Sequence, residues 1–114
     1  MYNKYKAAKK ECLYGHKHDS AKEAQRCNEL HLLMRAGEIS ELNIQVRFEL
    51  LPFMKYENMP NERSCFYIAD FVYKDNKTCK MIVEDTKGFK TPDYVIKRKL
   101  FKAKYHSDYI FLET

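Results

Sequence analysis

Two carboxylates sit inside stretches that otherwise read as buried β-strand. Ile68-Ala69-Asp70-Phe71-Val72 sets one acid among apolar neighbours. Met81-Ile82-Val83 leads into Glu84-Asp85, and Thr86-Lys87-Gly88 follows. An acid inside such a strand costs several kcal/mol unless a cation or hydrogen-bond donors meet it there. Any fold for this chain must therefore bring compensating groups to Asp70 and to the Glu84-Asp85 pair.

The chain has 114 residues, the size of one domain spanning 1–114, with residues 1–10 as a basic arm. Seven Phe and nine Tyr supply core volume, so neither disulfides nor metals are needed as staples. No apolar run approaches the roughly 20 residues of a membrane span. The basic start, Met1-Tyr2-Asn3-Lys4-Tyr5-Lys6, has no apolar stretch behind it and does not read as a signal peptide. A cytoplasmic location is expected, with Cys12, Cys27, Cys65 and Cys79 as reduced thiols. The net charge is +5 and unevenly spread. Between 87 and 104, Lys87, Lys90, Lys97, Arg98, Lys99, Lys102 and Lys104 face Asp93 alone, an excess of six. Clustered cations suit a polyanion. On charge alone, a solvated face and a flexible tail explain them equally well.

Ser20, with Glu23 three residues later, resembles a capping box. Ala24, Cys27, Leu30, Leu33 and Met34 form an apolar stripe, and Gly37 ends a helix predicted over 20–36. Leu42, Ile44, Val46, Phe48 and Leu50 alternate with polar residues, as in a half-buried strand. After a polar loop at 53–64, strands are predicted over 65–73 and 78–87. Thr91-Pro92 caps a second helix, whose remaining face is basic, and 109–112 is a closing strand. Residues 11–18 read as a short strand with a turn at Tyr14-Gly15. The order α-β-β-β-α-β predicts an α/β domain with a mixed sheet flanked by helices.

A two-residue turn at Asn76-Lys77 pairs Asp75 with Thr78 and sets Asp70 opposite Val83. Asp85 and Lys87 then share Asp70's face, diagonal to it at about 7–8 Å between Cα atoms, while Glu84 points away. Two such carboxylates fit one hard cation, Mg²⁺ or Mn²⁺. That cation activates water for phosphodiester hydrolysis, with Lys87 beside the nucleophile. The alternative is a structural Asp70–Lys87 ion pair. Glu23 has two readings, helix cap or third carboxylate. Gln45 reads as solvent-exposed, with contact to the same site as the alternative.

Cys12, His16, His18 and Cys27 can be drawn as a zinc set, but their spacing is irregular and Cys27 belongs to the helix's apolar stripe. Zinc is therefore not expected, and His31 and His106 read as structural or exposed. Three glycines argue against a nucleotide-binding fingerprint. No context supports a Ser or Cys nucleophile.

Helix Glu23, Asp70 and Asp85-x-Lys87 in this element order resemble the PD-(D/E)XK nuclease superfamily, with Ala69 where its Pro usually stands. More narrowly, Asp19-Ser20-Ala21-Lys22-Glu23-Ala24, Ala36-Gly37-Glu38-Ile39-Ser40, Tyr67-Ile68-Ala69-Asp70-Phe71 and Val83-Glu84-Asp85-Thr86-Lys87-Gly88-Phe89 are similar to a family of small, uncharacterised bacteriophage proteins of that superfamily. The resemblance implies a restriction-endonuclease-like core and Mg²⁺- or Mn²⁺-dependent cleavage of DNA in a bacterial host cell. It implies metal binding by Asp70, Asp85 and the Thr86 backbone carbonyl, with Glu23 completing the site. Lys87 would assist catalysis, and Lys90, Lys97, Arg98, Lys99, Lys102 and Lys104 would face DNA. A non-catalytic DNA-binding or host-protein-binding relative is the alternative. Cutting both strands calls for a homodimer, for which the apolar residues of 44–54 and 65–73 offer surface.

Overall fold

The computed structural model describes residues 10–114, so most of the basic arm lies outside the described residues. The chain enters through a hairpin of two short strands, β1 (Lys10–Glu11) and β2 (Lys17–His18). Helix α1 (Ala21–Arg35) begins at Ser20, whose hydroxyl accepts from the Glu23 N–H at 3.1 Å. Three strands follow: β3 (Ile39–Leu51), β4 (Cys65–Asp75) and β5 (Lys80–Asp85). Helix α2 (Pro92–Tyr105) starts at Thr91, which accepts from the Tyr94 N–H at 3.1 Å. The last strand is β6 (Tyr109–Glu113). The main sheet has the order β3-β4-β5-β6, antiparallel except where β6 lies parallel to β5. The α-β-β-β-α-β order and the mixed sheet follow the sequence pattern. No helix among the described residues is long and apolar enough to cross a membrane.

Each helix covers one face of the sheet. Under α1, Ala24, Cys27 and Leu30 pack with Ile39, Phe71, Tyr73 and Ile82. Under α2, Tyr94 and Phe101 pack with Phe48, Leu50, Tyr67, Ala69, Val72 and Val83. These assignments contradict a simple alternation. Residues two apart on a strand share a face, yet Ala69 belongs to the α2 core and Phe71 to the α1 core. β3 behaves likewise, since Ile44 packs in the α1 core and Val46 in the α2 core. The two breaks face each other: the ladder pairs Ile44 with Phe71 and Val46 with Ala69, leaving Gln45 and Asp70 between. Gln45 takes φ 56°, a left-handed conformation that costs a non-glycine residue roughly 1–2 kcal/mol. The five alternating apolar residues of β3 thus serve two cores. Ala69, Phe71, Val72 and Tyr73 are likewise buried inside the chain, and the exposed apolar side chains of this region are Leu51, Phe53 and Ile68.

The β4–β5 turn is longer than predicted. Asp75 pairs with Lys80, not Thr78, and residues 76–79 form the loop. The Asp75 carboxylate organises it, accepting from the Lys77 N–H at 3.0 Å and the Thr78 hydroxyl at 3.1 Å. The register moves by two, so face parity survives. The ladder ends at Phe71–Glu84, and its register continued by one step sets Asp70 opposite Asp85 rather than diagonal to it.

Cys79 closes this loop at φ 60° and is exposed. Cys79→Gly should therefore stabilise the protein by about 1 kcal/mol, read as a rise in denaturation midpoint. In the two-residue turn Cys79 would be an ordinary strand residue, and the same change would destabilise by roughly 0.5–1 kcal/mol. The sign of the shift reports the register.

Candidate active site

β5 ends at Asp85 beside the point where β4 changes phase at Asp70, and the first turn of α1 points Glu23 toward the same place. Glu23, Asp70 and Asp85 are 4%, 6% and 0% exposed. Asp70 Oδ2 accepts from the Thr86 N–H at 2.9 Å and the Thr86 hydroxyl at 3.0 Å. Tyr67 donates to Asp85 Oδ2 at 2.8 Å. Lys87 Nζ lies 3.3 Å from Asp85 Oδ1, which is buried and takes no hydrogen bond. The lysine thus pairs with Asp85 and not with Asp70, as the structural alternative had it. Glu23 settles between its two readings. Ser20 caps its backbone N–H, while its Oε2 meets His18 Nδ1 at 2.6 Å and accepts from Gln45 Nε2 at 3.0 Å. Gln45 is exposed and still reaches the cluster.

Burial raises the pKa of Glu23 to about 8, with the neighbouring Asp70 charge adding to it. Burial, then hydrogen bonding and repulsion from Asp70, raise Asp85 to about 7. Lys87 pulls both down without offsetting these effects. Three acids share one lysine, so near neutral pH Glu23 and Asp85 hold protons that a cation would replace. The cluster's donors are all oxygen, one of them buried without a hydrogen bond, and that set fits a hard divalent cation. Glu84 makes the contrast. It points to the other face, as predicted, where Arg26 grips it at 2.6 and 3.0 Å and Tyr73 and Thr114 donate to it at 2.6 and 3.1 Å. It clamps α1 to the sheet.

A cleft of about 490 Å³ opens beside Lys87, between Arg47 and Phe66 on one wall and Tyr94 and Lys97 on the other. Lys87 Nζ sits 4.8 Å over the Tyr94 ring, and the Arg47 guanidinium 3.7 Å over Phe66. Of the cations assigned to DNA, Lys97 lines this cleft, and Lys99 and Lys102 are exposed on α2. Lys90 and Arg98 are tied to Glu113 at 2.8 and 3.2 Å, and Lys104 donates to the Glu49 carbonyl at 3.0 Å. Lys90 first, then Tyr94, hold the Glu113 carboxyl down to about 2. Arg47, Tyr67 and Tyr94 were not foreseen from the sequence. Arg47 looked like a solvated strand residue, and only its pairing opposite Ile68 places it at the cleft.

The Cys/His set that the sequence argued against also comes together. The ligand atoms of Cys12, His16, His18 and Cys27 lie within 4.8 Å of one another, in an arrangement that can hold a metal ion. The irregular spacing is no obstacle, because a hairpin supplies three of the residues and α1 the fourth.

Residues 2–111 match the family described as "Protein of unknown function (DUF1064)". The chain belongs to that family. No curated protein and no solved structure matches it. For this DUF1064 chain, function must be argued from the site.

The raised acids fix a pH dependence. A carboxyl that keeps its proton in the folded state, while the unfolded chain releases it, loses stability as pH rises. For Glu23 the window runs from the ordinary 4.5 to about 8. Without divalent cations, the melting temperature should fall from pH 5 to pH 8. Asp70→Asn, which relieves the repulsion, should raise stability at pH 8 by about 1–2 kcal/mol. A flat profile, or a destabilised Asp70→Asn, would contradict this electrostatic picture.

Proposed function

We propose that the chain is a metal-dependent DNA endonuclease of the PD-(D/E)XK kind. The observation that carries the reading is the buried Asp70–Asp85 pair, in contact where the β4–β5 ladder ends, with Lys87 3.3 Å from Asp85 Oδ1. Asp70, Asp85 and the Thr86 backbone carbonyl would hold Mg²⁺ or Mn²⁺, with Glu23 completing the site. When bound, the cation supplies Lewis-acid activation of water and neutralises charge developing on the phosphate.

This chain's residues do the rest. Tyr67 fixes the orientation of Asp85. Thr86 fixes Asp70. The Lys87 ammonium borders the cleft, where it orients a water for attack and stabilises its deprotonated form. Arg47 and Lys97 contact phosphates flanking the scissile bond, and Lys99 and Lys102 extend that footprint along α2. Lys90, Arg98 and Lys104 act first as braces, through Glu113 and Glu49. Scission of both strands takes two such centres, and Leu51, Phe53 and Ile68 offer a second copy its apolar contact.

Purified protein incubated with duplex, single-stranded and four-way-junction DNA should cleave at least one of them with Mg²⁺ or Mn²⁺ and none with EDTA. Asp70→Asn and Asp85→Asn should abolish cleavage with the fold intact. Lys87→Ala should slow it at least about tenfold. Lys97→Ala should lower the salt slope of DNA binding by about one. Wild-type cleavage by Asp85→Asn would overturn the reading, and salt-dependent binding without cleavage would favour a non-catalytic DNA-binding protein.

A further inference from the structure

We propose that Cys12, His16, His18 and Cys27 form a tetrahedral zinc site that fastens the β1–β2 hairpin to α1 and, through His18, orients Glu23. His16 Nδ1 lies 3.6 Å from Cys12 Sγ and 3.5 Å from Cys27 Sγ. Zinc bonds of about 2.3 Å to sulfur and 2.0–2.1 Å to nitrogen, at the tetrahedral angle, put ligand sulfur and nitrogen about 3.6 Å apart. These contacts already have the length of tetrahedral edges. The donors are two thiols and two imidazoles, a set that selects zinc over the hard cations suited to the carboxylates.

His18 supplies an independent observation. It is 1% exposed, and its Nε2 is buried without a hydrogen-bond partner. Its Nδ1 is 2.6 Å from Glu23 Oε2. A carboxylate there accepts a hydrogen bond from the Nδ1–H, which leaves the Nε2 lone pair for a metal, the usual way a zinc histidine is oriented. His31 is not a fifth candidate. Its Nδ1, though 3.6 Å from Cys27 Sγ, donates to the Cys27 carbonyl at 2.8 Å, and its ring stacks on Tyr14 at 4.0 Å.

The local fold also calls for a fastener. A hairpin whose strands have two residues each does not hold itself together in water. Its turn brings ligands together: the Cys12 N–H donates to the His16 carbonyl at 2.9 Å, and Gly15, at φ 82°, donates to the Cys12 carbonyl at 3.2 Å. Any other residue at Gly15 would be strained. Two thiolates balance the charge of the ion, so the buried site is neutral.

The test does not depend on DNA cleavage. Untagged wild-type protein, expressed with zinc in the medium, is assayed by elemental analysis. One equivalent of zinc per chain is expected, falling below about a tenth in Cys12→Ser and Cys27→Ser. Cobalt exchanged into the wild type should give the intense visible bands of a tetrahedral ion and a thiolate charge-transfer band. A zinc chelator should lower the melting temperature. Glu23→Gln should retain zinc but bind it roughly 10–100-fold more weakly. Folded wild-type protein that is free of zinc, takes up no tetrahedral cobalt and melts unchanged with chelator would overturn the proposal. So would full zinc content in Cys27→Ser. The zinc content, cobalt spectrum and chelator response of the wild type decide the matter even where a cysteine variant misfolds.

Discussion

Glu23, Asp70 and Asp85 are held within one another's electric field with almost no access to water. Burying three acids this close together is costly, and the surrounding structure is arranged to make it tolerable. The acids arrive from three elements, α1, β4 and β5. They meet where the β3–β4 ladder skips Gln45 and Asp70 and where β5 ends. A regular sheet would have sent every second side chain of β4 to one helix. The break turns the flanking residues toward different cores and leaves Asp70 free to face both Glu23 and Asp85. The positive φ of Gln45 is part of that cost, and its amide is spent on Glu23.

Glu84 shows how the same chain treats an acid that has no such task. One residue from Asp85 and equally buried, it is met by Arg26, Tyr73 and Thr114, all donors. Asp85 receives one hydroxyl and a lysine that leaves Oδ1 without a hydrogen bond. On the proposed reading, the difference between a saturated and an undersaturated carboxylate separates a structural clamp from a cation site. On the zinc proposal, the undersaturated side extends further: Glu23 is shared between His18 and the acidic cluster, so the hairpin metal sets the rotamer of a group at the other centre.

The two helices, their caps and the order of elements along the chain were legible in the sequence, because Ser20, Thr91 and Pro92 carry local capping chemistry and the strand over 42–50 carries a period-two pattern. The pairing of Asp70 with Asp85 was legible only up to an even shift. Asp75 organises a loop two residues longer than the shortest turn, and parity kept both acids on matched positions. The phase change at Gln45 and Asp70 was hidden, since apolar alternation reads the same whichever core receives it. The Cys/His set was visible, but its convergence was not. Cys27 does lie on the apolar stripe of α1, and the hairpin packs against that stripe. The ion pairs of Lys90, Arg98 and Lys104 were not legible, because charge counts do not reveal that Glu113 and Glu49 stand beside them.

Titration calorimetry with Mg²⁺ at pH 7, repeated in buffers of different ionisation enthalpy, tests the cation site most directly. Asp85, raised to about 7, is partly protonated at that pH, and a bound cation must displace that proton. The predicted result is saturable binding with net proton release, lost in Asp85→Asn. Absence of binding, or binding whose enthalpy is the same in every buffer, would contradict it.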